Sequence, residues 1–205
     1  MRSGVILAGG MGRRIGNEKA MMNFFGRTLT EWVVDSLRDV VDEIVVVARD
    51  GEQMARLHRT VSNVNLTCDE IPGCGPIAGL VAGMSSSRGE FCMAVGCDLP
   101  FLSSKVADKL FQLAYGYDAA VPFRSDGTFE VLHAVYHRER VIEACRKALD
   151  RGERKILVPL SNLNVNYVDA DQLRPLDPDL LTLLNINTMA DFAAARRLQK
   201  LRLQI

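Results

Sequence analysis

The chain has 205 residues, 48% hydrophobic and 24% charged, the make-up of an ordinary globular protein long enough for one sizeable core. Its 25 basic and 25 acidic residues cancel, so the bulk charge favours neither nucleic acid nor an anionic membrane as a partner. No apolar run approaches a bilayer span and the N-terminus lacks the apolar segment of a signal peptide, so a one-domain cytoplasmic protein is expected.

Residues 4–8 form an apolar run of the length of one buried strand. It ends at Gly9-Gly10 and gives way to Met11-Gly12-Arg13-Arg14-Ile15-Gly16-Asn17-Glu18-Lys19-Ala20. Glycines at 9, 10, 12 and 16 let backbone N–H groups approach an anion with no Cβ in the way, and Arg13, Arg14 and Lys19 add positive charge. The stretch therefore predicts a phosphate grip, against the plainer reading of a Gly-rich turn with solvated basic side chains. A P-loop is excluded because Lys19 stands three residues after Gly16 and precedes Ala20. The dinucleotide fingerprint is excluded because Gly10, Gly12 and Gly16 are spaced Gly-x-Gly-x-x-x-Gly.

Helical and apolar stretches then alternate: a helix over 28–40, a strand over 43–48, a helix over 52–59 and a strand over 65–68. After Ile71-Pro72-Gly73-Cys74-Gly75-Pro76 a helix is predicted over 77–84 and a strand over 91–95. Strands that are apolar throughout and separated by helices imply a three-layer α/β/α, Rossmann-like fold with a mostly parallel central sheet. Ligands of such sheets bind at the carboxyl ends of the strands, where the loops at 9–19, 69–76 and 96–100 should converge.

Asp98 directly follows the 91–95 strand and precedes Leu99-Pro100, which ends it. A carboxylate there, facing a phosphate loop, suits Mg²⁺, which takes one or two carboxylates together with phosphate oxygens. Ser103 and Ser104 are better caps for the next helix than Asp98 is. Further on, strands are predicted over 118–122 and 129–136 with a turn at 124–128, then a helix over 138–149, a polar connection at 150–155 opening a short helical segment, and a strand over 164–168. Asn187 or Thr188 should cap a C-terminal helix that covers the core with Phe192, Ala193, Ala195 and Leu198.

The five cysteines, Cys68, Cys74, Cys92, Cys97 and Cys145, are odd in number and irregularly spaced, which argues against structural zinc. Cys92 and Cys97 read as small core residues in a reducing compartment, and Cys74 as incidentally reactive. His58, His133 and His137 read as structural or surface residues.

The order of motifs resembles that of the molybdenum cofactor guanylyltransferases, within the nucleotidyltransferase superfamily. It runs from Leu7-Ala8-Gly9-Gly10-x-x-Arg13-Arg14-x-Gly16-x-x-Lys19 to Gly75-Pro76-Ile77-Ala78-Gly79 and Cys97-Asp98-Leu99-Pro100, then to Gly152-Glu153-Arg154-Lys155 and Asn185-Ile186-Asn187-Thr188. The resemblance spans nearly the whole chain. It implies transfer of GMP from GTP to the terminal phosphate of molybdopterin, with Mg²⁺, by a nucleotide-binding half (1–100) and an acceptor-binding half (101–205). It also implies transient contact with the enzymes that make molybdopterin. Carried over position by position, it places Leu7, Ala8, Gly9, Lys19, Asp69 and Asp98 on the nucleotide, with Asp98 the metal ligand and Asn185, Asn187, Arg154 and Lys155 the acceptor contacts. The glycine loops add Gly10, Gly12 and Gly75 to the nucleotide contacts, and the charge growing on pyrophosphate makes Lys19, Arg14 and Asp98 the catalytic residues.

The chain departs from the family at Val47, where an asparagine nucleotide contact is usual, at Glu18, where aspartate often precedes the lysine, and at Met189, which replaces a proline. With Val47, either backbone groups of the first loop and 75–79 read guanine or another nucleotide is preferred. The alternatives are a cytidylyltransferase, a guanylyltransferase acting on cobinamide phosphate or another phosphorylated acceptor, and a nucleotide-binding protein without turnover.

Overall fold

The structure, a computed structural model, describes residues 1–10, 18–68 and 75–203. Strand β1 (Arg2–Leu7) is buried through its four central residues, as its apolar run requires. A small ribbon follows, β2 (Asn23–Phe24) paired with β3 (Arg27–Thr28), and Phe25 and Gly26 turn it with φ of 54° and 83°. No local signal predicts this hairpin, because such a turn is normally announced by Asn or Asp before Gly and here Phe25 holds that place. Helix α1 (Leu29–Arg38) starts at Thr28, whose hydroxyl and the Glu31 carboxylate form a reciprocal capping box.

The alternation continues through β4 (Glu43–Ala48), α2 (Gly51–Leu57), β5 (Asn65–Cys68), α3 (Pro76–Ser85), β6 (Phe91–Gly96) and α4 (Ser104–Ala114). Then come β7 (Ala119–Phe123), β8 (His133–His137), α5 (Arg138–Asp150), the single turn α6 (Leu157–Leu160), β9 (Val165–Asp169) and α7 (Met189–Leu203). Ser103 caps α4, as expected. The strand expected over 129–136 is shorter. Phe129 contributes only a bridge to Phe123, and the Glu130 N–H bonds Pro122 while the His133 N–H bonds the Glu130 carbonyl. A tight turn thus replaces the first half of the ladder.

The main sheet has the order β5-β4-β1-β6-β8-β7-β9, continuous from the first strand to the last. Only β8 runs against its neighbours; β5, β4, β1 and β6 are mutually parallel, as are β7 and β9. Helices α1, α2 and α4 pack on one face, and α3, α5 and α6 on the other. From β1 the chain steps outward to β4 and β5, then returns through α3 to β6 on the far side of β1. That reversal puts a crevice at the carboxyl ends of β1 and β6, where open α/β sheets hold ligands.

Cys92, Cys97 and Cys145 are buried in these layers, and burial raises the Cys92 thiol to about 11. α7 covers a smaller apolar cluster with Phe192, Ala195 and Leu198, as expected, and leaves its last turn outside it. Phe192 and Ala195 pack with Phe24, Leu29, Phe101 and Ile186, while Leu201 and Leu203 are 60% and 65% exposed. No helix among the described residues is long and apolar enough to cross a membrane.

Candidate active site

The end of β1 is held on three sides before the Gly-rich stretch begins. The Leu7 carbonyl accepts from Cys97 N at 3.2 Å, the Ala8 N–H donates to Val47 at 2.9 Å, and the Ala8 carbonyl accepts from Gln53 Nε2 at 2.9 Å. A Cβ on Gly9 would lie 3.1 Å from the Arg49 backbone, so any other residue there would press the two loops apart by a few tenths of an ångström. Gly10 has open space around it. Gly12, Arg13, Arg14 and Gly16, like Asp69 and Cys74, lie outside the described residues.

The chain re-enters at Glu18 and makes a 3-10 turn, Lys19–Met21, whose buried Ala20 carbonyl accepts from Thr30 Oγ1 of α1 at 2.9 Å. Fixed in this way, Lys19 reaches across the crevice. Its Nζ lies 2.9 Å from Asp98 Oδ2 and 3.0 Å from Asn187 Oδ1. The Lys19 and Asp98 side chains keep only 13% and 18% of their exposure, so the pair interacts at low effective dielectric yet still opens to the crevice. Three segments far apart in sequence therefore meet at one point, and Asp98 lies at the predicted strand end.

The donor set fits a cation that arrives with phosphates. A Cβ on residue 96 would sit 2.5 Å from Asp98 Oδ1, so Gly96 leaves the carboxylate a space that any side chain would fill. Among the described residues no group of three or more His, Cys, Asp or Glu could cage a metal by itself. A single carboxylate with room beside it suits Mg²⁺, which keeps most of its shell for water and phosphate oxygens.

Asn187 reaches the site on a segment tied to Asp98 by the Ile186 N–H, 3.0 Å from the Asp98 carbonyl. Thr188, rather than Asn187, caps α7: its Oγ1 accepts from Asp191 N, and the Asp191 carboxylate accepts from the N–H groups of Asn187 and Thr188. Partial burial pushes the Asp191 pKa up, but the Asn187 and Thr188 N–H groups and the Thr188 hydroxyl outweigh it and hold it below the ordinary value. This cap frees the Asn187 amide to meet Lys19. Asn185 Nδ2 donates within its own segment to Leu183, at 3.3 Å.

A buried polar cluster carries that segment, and the sequence reading did not single it out. Thr182 is fully buried; its N–H donates to Asp177, and its Oγ1 accepts from Ser103 N at 3.0 Å and lies 3.3 Å from His133 Nε2. Arg124 bridges the Glu130 carboxylate and the Leu183 carbonyl. Burial and the Arg124 charge lower the His133 pKa from 6.5 to about 3, so its ring is neutral and its role structural. Nothing in the local sequence marks the Thr182 side chain, because its hydroxyl's partners are 79 and 49 residues away.

Arg154 and Lys155 are exposed between α5 and α6, and among the described residues neither makes a side-chain hydrogen bond. Arg154 stands beside the start of α3, its carbonyl 3.0 Å from the place of a Cβ on Gly75. Gly75, at φ 74°, begins α3 with no side-chain cap, so the first-turn N–H groups are left to other acceptors. Val47 is 2% exposed and lies under α3, its Cγ2 2.7 Å from where a Cβ on Gly83 would be. Its two methyls fill that interface, so this side chain offers a base no hydrogen bond.

A family model described as the MobA-like NTP transferase domain matches residues 4–164. The chain belongs to that family. It is 36% identical over 197 residues to a probable molybdenum cofactor guanylyltransferase of Methanosarcina mazei, covering 93% of this chain and 88% of that one. It is 32% identical to the molybdopterin-guanine dinucleotide biosynthesis protein A of Archaeoglobus fulgidus, whose crystal structure superposes with a TM-score of 0.85 over 97% of this chain and 98% of that one. The 4-diphosphocytidyl-2C-methyl-D-erythritol synthase of Anaerococcus prevotii shares the fold at a TM-score of 0.71, with 15% identity over 97% of this chain and 96% of that one.

Proposed function

We propose that this enzyme transfers GMP from GTP to the terminal phosphate of molybdopterin and releases pyrophosphate. The observation that carries the reading is the meeting of Lys19, Asp98 and Asn187 at the crevice between β1 and β6. A phosphate oxygen of the acceptor attacks the α-phosphorus, and the bond to the β-phosphate breaks with its electron pair leaving on pyrophosphate. The charges gathered there are negative throughout, so the protein's task is neutralisation and alignment. Lys19 and Arg14 cover the triphosphate, and the backbone of Leu7, Ala8, Gly9, Gly10 and Gly12, with Gly75 and Asp69, holds the nucleotide. Asp98 would hold Mg²⁺, which supplies Lewis-acid polarisation and charge neutralisation when bound. Asn185 and Asn187 face the acceptor, with Arg154 and Lys155 as outlying cations. The acceptor phosphate, with a second pKa of about 6, is already ionised near neutrality, so no general base is required. The chain works as one unit, residues 1–100 serving the nucleotide and 101–205 the acceptor.

A cytidylyl transfer is the second reading, favoured only by the burial of Val47. Labelled GTP, CTP and ATP, each with Mg²⁺ and molybdopterin, separate the two. Pyrophosphate should appear with GTP; equal or greater release with CTP would sink the guanylyl reading.

A further inference from the structure

Helix α2 is too short to add much to the core, yet two of its side chains reach the two ends of the Gly-rich stretch. Gln53 is fully buried: its Nε2 donates to the Ala8 carbonyl at 2.9 Å, and its Oε1 accepts from Arg49 N at 2.6 Å. Three residues on, and so on the same helix face, Arg56 Nη2 lies 2.9 Å from Glu18 Oε2. Arg49, at the mouth of the same β4–α2 loop, brings its Nη2 to 3.9 Å from Glu18 Oε1. Ala8 is the last residue before the glycines and Glu18 the residue before Lys19, so this one helix grips the stretch where it leaves the sheet and where it returns. The longer Glu18, in place of an aspartate, spans the gap to Arg56. Glu18 Oε1 is buried with no hydrogen-bond partner among the described residues. A carboxylate in that state depends on the two guanidinium charges, and removing one leaves a partly buried charge exposed to its neighbour Lys19.

We propose that Gln53 and Arg56 are positioning residues for the nucleotide: α2 sets the span between Ala8 and Lys19, and with it the place of the Lys19 ammonium against the triphosphate. Neither touches the reacting atoms. The inference rests on residues 9–19 gripping the triphosphate, and it does not depend on which acceptor takes the nucleotidyl group. Its consequence is a separation of substrates. Disturbing α2 should weaken GTP and leave the acceptor alone, since Asn185 and Asn187 are carried by a different part of the fold.

The test measures Mg²⁺–GTP binding to the full chain without acceptor, then KM for GTP and for molybdopterin. Arg56→Ala should raise the GTP Kd and KM about three- to tenfold, the scale of a partly buried ion pair, with the acceptor KM unchanged. Arg56→Lys, which keeps the charge, should recover most of the loss. Glu18→Gln combined with Arg56→Ala should be no worse than Arg56→Ala alone, because the orphaned charge is gone. Gln53→Glu keeps the acceptor for Arg49 N but sets an oxygen against the Ala8 carbonyl, and should also act on GTP alone. Unchanged GTP binding in Arg56→Ala, or equal losses for GTP and molybdopterin, would overturn the inference. A chain that binds GTP with this pattern of variants but gives molybdopterin no nucleotide would overturn the acceptor reading and leave the inference standing.

Discussion

The two sides of the crevice are built from different materials. On the side we propose for the nucleotide stand glycines, half-exposed cations and an uncapped helix start. On the side we propose for the acceptor, Asn185 and Asn187 ride on a segment whose supports, Thr182 and His133, are neutral and fully buried. The first arrangement suits phosphates by charge and tolerates water. The second fixes a short irregular segment by hydrogen bonds that water cannot replace, and each lost partner there leaves a buried polar group unpaired. Lys19 is where the two systems touch, through Asp98 on one side and Asn187 on the other.

The contrast can be broken most forcefully at that contact. Asp98→Asn keeps the shape but removes the charge, and kcat should fall by about 10²-fold or more with the melting temperature nearly unchanged. A rate within a few fold of the parent enzyme would put the metal elsewhere. Thr182→Val should act on the other side alone, leaving Ser103 N and His133 Nε2 without their partner at a cost of about 1–3 kcal/mol. That is a loss of several degrees in melting temperature, with a raised KM for the acceptor and an unchanged KM for GTP. Should GTP suffer equally, the two supports are one.

The last effect is a slope, absent at neutral pH. His133 binds a proton near pH 6.5 when unfolded and only near about 3 when folded. Between those values the unfolded chain holds more protons, so stability is fully present above the unfolded pKa and falls as the pH drops, by at most about 1.4 kcal/mol per unit. His133→Gln should flatten urea midpoints between pH 6.5 and 4 relative to the parent chain. An identical slope in both proteins would show that other groups set the acid limit.

Local signals made most of the framework legible. The stretches at 43–48 and 65–68 became β4 and β5 residue for residue: β4, buried from Ile44 to Ala48, admits little but apolar side chains there, while β5 is a partly exposed edge strand that keeps Asn65 and Thr67. The ribbon at β2 and β3 escaped because Phe25 adopts a left-handed conformation that its side chain does not announce. The cap of α7 was half legible: Thr188 and Asn187 are both capping types, and only the pull of Lys19 assigns the amide of Asn187 elsewhere.

By itself the sequence determined the alternation of strands and helices, the phosphate-suited stretch after β1 and the carboxylate at the end of β6, because spacing and residue type act over a few neighbours. Tertiary structure alone decided that Val47 lies under α3, that Gln53 and Arg56 reach Ala8 and Glu18, and that Thr182 and His133 support the segment that carries Asn185 and Asn187. Those contacts join residues 36 to 49 positions apart, and what selects them is the packing of Val47 and of buried polar groups with partners that the chain brings near only after the sheet has formed.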